Sequence, residues 1–273
     1  MSGTLLDRKP SELAVRVVTG VGMIAVAMMA VVLGGIVFWL LATVLGLAMM
    51  AEWADLTGTA LRHKRLAIYA LFVPLALMSP LGAGPGFLSL GLLAGAAFFV
   101  VIITNRPWLA LGVVYAGLPI LSLLLIRRQH APGPDLTPYL GLVWTLWALA
   151  LVWATDIGAY FAGRAIGGPK LAPRLSPNKT WAGLIGGVAL ASLLAAVMHH
   201  AYELPWRLTL ATPLLAVAAQ AGDLFESWMK RRAGVKDSGT LIPGHGGVLD
   251  RLDGLVPVAP LAALLVVLPH FYR

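Results

Sequence analysis

Cysteine is absent from the 273 residues, and charge is scarce, with Asp, Glu, Lys and Arg making up 12% of the chain. The first absence excludes disulfides, thiolate zinc sites and cysteine nucleophiles, while leaving the redox compartment open. The second excludes an ordinary water-facing surface, because a soluble domain carries about 25% charged residues. Neither a P-loop nor an HExxH zinc motif occurs, and no Ser/His spacing singles out a hydrolase triad. No repeat or low-complexity tract stands out. The charge that is present is lopsided, at a formal +8. In a soluble protein that excess would point to nucleic acid. In a chain that is 59% hydrophobic, it serves instead to orient helices and to attract anionic lipid or nucleotide, and nucleic acid is not an expected partner.

What the chain does have is a series of apolar runs. A helix needs about 20 apolar residues to cross the hydrocarbon of a bilayer. Nine candidates lie near residues 17–33, 36–50, 66–78, 87–103, 108–126, 139–161, 181–198, 208–224 and 255–269. The third is short, and Gly34-Gly35 blurs the limits of the first pair. The expected fold is all-α, a polytopic transmembrane bundle of about nine helices. Five belong to an N-terminal portion (1–135), and the rest to a catalytic C-terminal portion (136–273) with cytoplasmic loops at 163–180 and 225–253. No sheet is expected, because backbone groups in lipid must be paired within each segment or in a closed barrel. The first run, behind a charged lead, reads as a membrane helix rather than a cleaved signal.

Threading nine spans from a cytoplasmic N-terminus leaves all but four of the 20 Lys and Arg on the cytoplasmic side, as the positive-inside rule favours. The exceptions are Arg127, Arg128, Arg207 and Arg273. The adjacent pair Arg127-Arg128 is the one local violation.

Four stretches, all in the second half, bear the residue types of phosphate chemistry. In GDLFESWMKR (222–231), Asp223, Glu226, Ser227 and Lys230 share one helix face. An acid this close to the bilayer is costly and usually functional, although a solvated helix end with an internal ion pair is the plainer alternative. In VKDSGTLIPGHGG (235–247), the glycines allow backbone N–H groups to cradle phosphate, or they make a simple connector. In LDRLDG (249–254), Asp250 and Asp253 face the same way on a helical start. Such a pair suits a hard divalent cation such as Mg2+, or serves to cap the last helix. In the sixth span and the loop after it, Asp156, Tyr160, Gly163 and Arg164 share a face. They are followed by Lys170, Arg174, Ser176, Asn178, Lys179 and Thr180, which could clamp a triphosphate or could merely supply the inside-positive signal. Brought to one membrane face, these groups match what phosphoryl or nucleotidyl transfer requires.

The stretch SWMKRRAGVKDSGTLIPGHGGVLDRLD (227–253) resembles the signature of the CDP-diacylglycerol synthase family, also called phosphatidate cytidylyltransferase, without departure. DIGAYFAGR (156–164) and LAPRLSPNKTW (171–181) are also similar to the family. The family often has Glu after the Thr-Trp pair, where Ala182 stands here, so no role of that Glu carries over. The resemblance implies conversion of CTP and phosphatidic acid to CDP-diacylglycerol and pyrophosphate. It also implies Mg2+, a second cation such as K+ in some members, a homodimer, and the bacterial cytoplasmic membrane with the site facing the cytoplasm.

On that reading, Asp223 and Asp250 are the expected metal ligands, with Asp253 next. Lys230, Arg231, Lys236 and Lys179 are the expected phosphate clamps. His245 donates to phosphate or orients its loop, and Asp156 supports a neighbouring ligand or touches the nucleotide. Arg164, Ser176, Asp237, Gly246, Gly247 and Arg251 complete the substrate-binding set. The rivals are another CTP-dependent lipid enzyme, such as a polyprenol kinase or an archaeal-lipid cytidylyltransferase, and a transporter. A transporter usually places its ionisable groups at the midplane on broken helices.

Overall fold

A computed structural model describes residues 12–129, 139–242 and 244–268. Arg8 and Lys9 of the charged lead, Pro243 of the signature, Pro269 and Arg273 lie outside the described residues. Each of the nine apolar runs forms a helix: α1 (Glu12–Leu33), α2 (Gly35–Leu56), α3 (Leu61–Leu77), α4 (Phe87–Thr104), α5 (Pro107–Arg127), α6 (Leu140–Ile166), α7 (Trp181–Tyr202), α8 (Trp206–Arg232) and, after the one-turn helix α9 (Leu249–Leu252), α10 (Leu255–Val267).

Among the described residues, α2, α4, α5, α6, α7 and α8 are both long and apolar enough to cross a bilayer. Within the described residues, α10 covers about 20 Å at 1.5 Å per residue. It is packed against α5, α6 and α8, with Val258, Ala259, Ala262 and Val266 buried. Its outer face keeps Leu261 and Leu264 exposed.

The helix ends follow local chemistry. Gly34 and Gly35 have φ of 63° and 49°, a left-handed pair that lets α1 reverse into α2. Asn105 closes α4 in the left-handed conformation, and Pro107 opens α5, where its missing N–H costs nothing. Thr180 caps α7, its hydroxyl accepting from the Gly183 N–H at 3.0 Å.

The local violation of the charge rule has a structural cause. The Arg127 guanidinium donates to the carbonyls of Val31 (2.8 Å) and Val32 (3.0 Å). A helix C-terminus carries unsatisfied carbonyls and partial negative charge, so Arg127 serves the end of α1 rather than the orientation of the chain.

The helical bundle has one exception, and it corrects the expectation that no sheet forms. β1 (Lys170–Ala172) and β2 (Ser176–Thr180) pair antiparallel, with Lys170 opposite Thr180 and Ala172 opposite Ser176. They sit in the loop between α6 and α7, where the constraint on backbone groups in lipid does not apply. The loops are also shorter than their sequence limits, since α6 continues to Ile166 and α8 to Arg232.

α6 and α7 form the tightest helix pair. A side chain at Gly158 would strike the Gly186 carbonyl, and one at Gly187 would strike the Thr155 carbonyl. Small residues let membrane helices approach at backbone distance. That closeness fixes the hairpin that joins the two helices, and with it Lys179. One large apolar cluster, with Trp53, Met49 and Leu71 from the first half and Trp147, Leu151 and Val258 from the second, joins the two halves.

Candidate active site

The last turns of α8 carry polar residues on a helix that begins apolar. Gln220 and Glu226 are buried, and they divide the site into two adjoining networks.

The first network gathers three acids. Lys179, delivered by β2, lies 2.5 Å from Asp223 and donates to Gln220 Oε1 at 2.8 Å. Gln220 Nε2 in turn donates to Asp156 at 3.2 Å. Ser227, one turn along, donates to Asp223 at 3.3 Å. Asp253 faces this group from the junction of α9 and α10. Its carboxyl is pushed up to about 7, first by burial, then by the charge of Asp223 and, more weakly, of Asp156, against the pull of the Gly254 N–H and Lys179. Gly222 makes the approach possible, because a side chain there would strike the Asp253 carbonyl and Pro257.

The second network is built on Asp250. Its Oδ1 accepts from Lys230 at 2.6 Å. Its Oδ2 accepts from the N–H groups of Ser238 and Gly247, both at 2.8 Å, and from the Ser238 hydroxyl at 2.9 Å. Burial alone would raise its pKa, but Lys230 and the two backbone donors outweigh it and hold the carboxyl below its ordinary value. Lys230 also donates to Glu226 at 3.0 Å.

Sequence reasoning missed the residue that completes this network. Glu52, at the end of α2 and 6% exposed, accepts from the N–H groups of Val248 (2.8 Å) and Leu249 (2.9 Å) and shares the single proton of the Ser238 hydroxyl, 3.0 Å away, with Asp250. A lone acid in the apolar run MMAEWA is its one local signal. The glycines of the signature make room for this carboxylate rather than simply adding flexibility. A side chain at Gly239 would meet Glu52, and one at Gly247 would overlap both Ser238 Oγ and Glu52. Gly247→Ala is therefore expected to cost about 1–3 kcal/mol of local overpacking. It should lower turnover at least about tenfold, measured at unchanged protein yield in detergent.

Asp223 and Asp250, expected to meet, thus bond into neighbouring networks. Glu226 lies within electrostatic reach of Asp250 and Asp253, and so stands between the two. His245 Nδ1 lies 3.0 Å from the Thr19 hydroxyl of α1, and Arg251 Nε donates to the His245 carbonyl at 3.1 Å. Gly246 takes φ of 84° at the loop's turn. Arg164 donates to Tyr160 at 2.8 Å, on the helix face expected for the pair. Ser176 opens β2, while Arg231, Lys236 and Asp237 are exposed at the rim.

Among the described residues, no three Asp, Glu or His side chains form a cage for a metal. Mg2+ does not require one, since it takes one or two carboxylates and completes its shell with water and substrate phosphates. The donor chemistry fits that pattern. Asp223 and Asp253 supply hard oxygens, and the buried Glu226 Oε1 has no hydrogen-bond partner. Asp250 fits less well, because three donors already crowd its Oδ2 and only Oδ1, on Lys230, retains a lone pair to offer.

A profile of the Cytidylyltransferase family matches residues 14–268, nearly the whole chain. The chain belongs to the cytidylyltransferase family. Among curated relatives, the phosphatidate cytidylyltransferase of Brucella suis biovar 1 (strain 1330) is 42% identical over 260 residues, covering 93% of each chain. That of Staphylococcus haemolyticus (strain JCSC1435) is 33% identical over 271 residues, covering 93% of this chain and 98% of the relative. That of Haemophilus influenzae (strain ATCC 51907 / DSM 11121 / KW20 / Rd) is 47% identical over 146 residues, about half of each chain. The cytidylyltransferase fold therefore extends over the N-terminal helices as well, in keeping with Glu52 reaching the signature loop.

Proposed function

We propose that this cytidylyltransferase acts on phosphatidic acid, joining it to CTP to give CDP-diacylglycerol and pyrophosphate at the cytoplasmic face of a bacterial inner membrane. The observation that carries the reading is Lys179 paired with Asp223 and joined through Gln220 to Asp156, with Asp253 in electrostatic reach, beside the signature loop anchored on Asp250 and Glu52.

In the proposed reaction a phosphate oxygen of phosphatidic acid attacks the α-phosphorus of CTP. The new O–P bond forms as the bond to the β-phosphate breaks, and pyrophosphate leaves. The second pKa of a phosphate monoester lies near 6, so the nucleophile is already a dianion at neutral pH and no general base is needed. The barrier is the repulsion between two anions. Mg2+ held by Asp223 and Asp253, with Asp250 contributing at most through Oδ1, would neutralise phosphate oxygens at the reacting centre. Lys179 and Lys230, each already facing acids, are placed to transfer their donors to phosphate oxygens. Arg231 and Lys236 at the rim raise the local concentration of nucleotide. Asp250 holds Lys230 and the loop, so its part is to position as much as to bind.

The test uses the purified protein in detergent with α-labelled CTP, dioleoyl phosphatidic acid and Mg2+. Label should enter the lipid phase, with one pyrophosphate released per lipid labelled. Release of CDP with an unlabelled lipid would instead mean phosphoryl transfer, the chemistry of a CTP-dependent kinase, and would overturn the proposal.

A further inference from the structure

The acids and lysines of the site account for phosphates and cation but give the hydrocarbon of a lipid no place. A cleft between α1, α2, α5 and α6 does. Its wall is apolar along its length, with Val31, Phe38, Ala42, Ile120 and Val152 among the residues that form it. Its one charged lining residue, among those described, is Arg251.

The cleft has a direction. At one end Arg251 and Leu252 belong to α9, one residue short of Asp253. At the other end stands Phe38, near the start of α2. Between Met49 and Phe38 the wall runs along α2 for about 16 Å at 1.5 Å per residue. Phe38 also lines a second cavity, with Gly35, Arg127 and Arg128, and so is common to the walls of both. Trp153, 43% exposed, stands at the lip where α1 rests only lightly on α6, which gives a side entrance from the lipid.

A polar ligand would lose its hydrogen bonds to water along such a wall without replacement. A lone cation at the mouth of an apolar slot, next to the acids that would hold the divalent ion, fits a molecule with an anionic head and a long apolar tail. We propose that the cleft holds one acyl chain of the lipid substrate, with Arg251 on its phosphate and Phe38 as the floor that limits chain length. The assignment rests on the function proposed above.

The experiment compares kcat/KM for phosphatidic acids with dioctanoyl, dimyristoyl and dioleoyl chains in mixed micelles. It uses the unaltered protein, Ala42→Phe and Phe38→Ala. Ala42→Phe narrows the slot part-way down and should lower the dioleoyl-to-dioctanoyl ratio at least tenfold. Phe38→Ala opens the floor and should shift the preference toward the longest chain, which a variant that merely folds poorly would not do. Product formation with the ratio unmoved in both variants overturns the assignment alone. Absence of lipid product from the unaltered protein at every chain length overturns the function and, with it, the assignment.

Discussion

Replacing Asp223 with Asn is expected to lower kcat by about a thousandfold while the protein still inserts and purifies, a loss of the size seen when a preorganised charge is removed from a transition state. The side chain keeps its shape, but Lys179 loses the charge it lies 2.5 Å from and the proposed cation loses a ligand. Asp253→Asn should behave alike, because Asp253 faces the same group. Asp250→Asn separates two roles. If its chief part is to anchor the loop through Ser238 and Gly247, turnover falls but the Mg2+ concentration giving half-maximal rate changes little. For Asp223 and Asp253 that concentration should rise about tenfold or more in whatever activity remains. Normal turnover of Asp223→Asn at ordinary Mg2+ would remove it from the site.

Replacing Glu52 with Ala is expected to reduce kcat about a hundredfold, although this residue touches neither proposed substrate. It leaves the Val248 and Leu249 N–H groups without their acceptor and the Ser238 hydroxyl with Asp250 alone. Hydrogen bonds to a charged group contribute about 1.5–3 kcal/mol each, enough to release the loop. A displacement of about 1 Å at a reacting centre costs on the order of 10²-fold. Glu52→Gln should not rescue, because its amide turns two donors toward existing donors. Limited proteolysis within residues 233–248 should speed up in both variants. An unchanged cleavage rate with unchanged kcat would show that the loop holds its shape without Glu52.

The apolar runs were legible because membrane helices announce themselves by length and composition: each run forms a helix, and among the described residues six are long and apolar enough to cross a bilayer. The face shared by Glu226 and Lys230 was legible too, since a spacing of four on a helix brings side chains together, here at 3.0 Å. The hairpin was not legible. The sequence KLAPRLSPNKT has neither strand alternation nor a two-residue turn signal, and the rule against sheets in lipid was extended to a loop outside it. Nor could sequence spacing separate Asp223 from Asp250. Both belong to acid-rich stretches, and their division depends on which lysine each meets, a matter of tertiary placement. Glu52 was hidden for the same reason. Its partners lie up to 197 residues away, and nothing local to MMAEWA reveals them.

That separation also sets an order of events during synthesis. At about 5–20 residues per second, roughly 10–40 s pass between the appearance of Glu52 and that of Val248, 196 residues later. For that interval α2 carries an acid into its place among apolar neighbours before the ribosome has made the amides that will receive it. A nascent chain interrupted before α9 keeps that acid without the two amides that receive it in the finished fold.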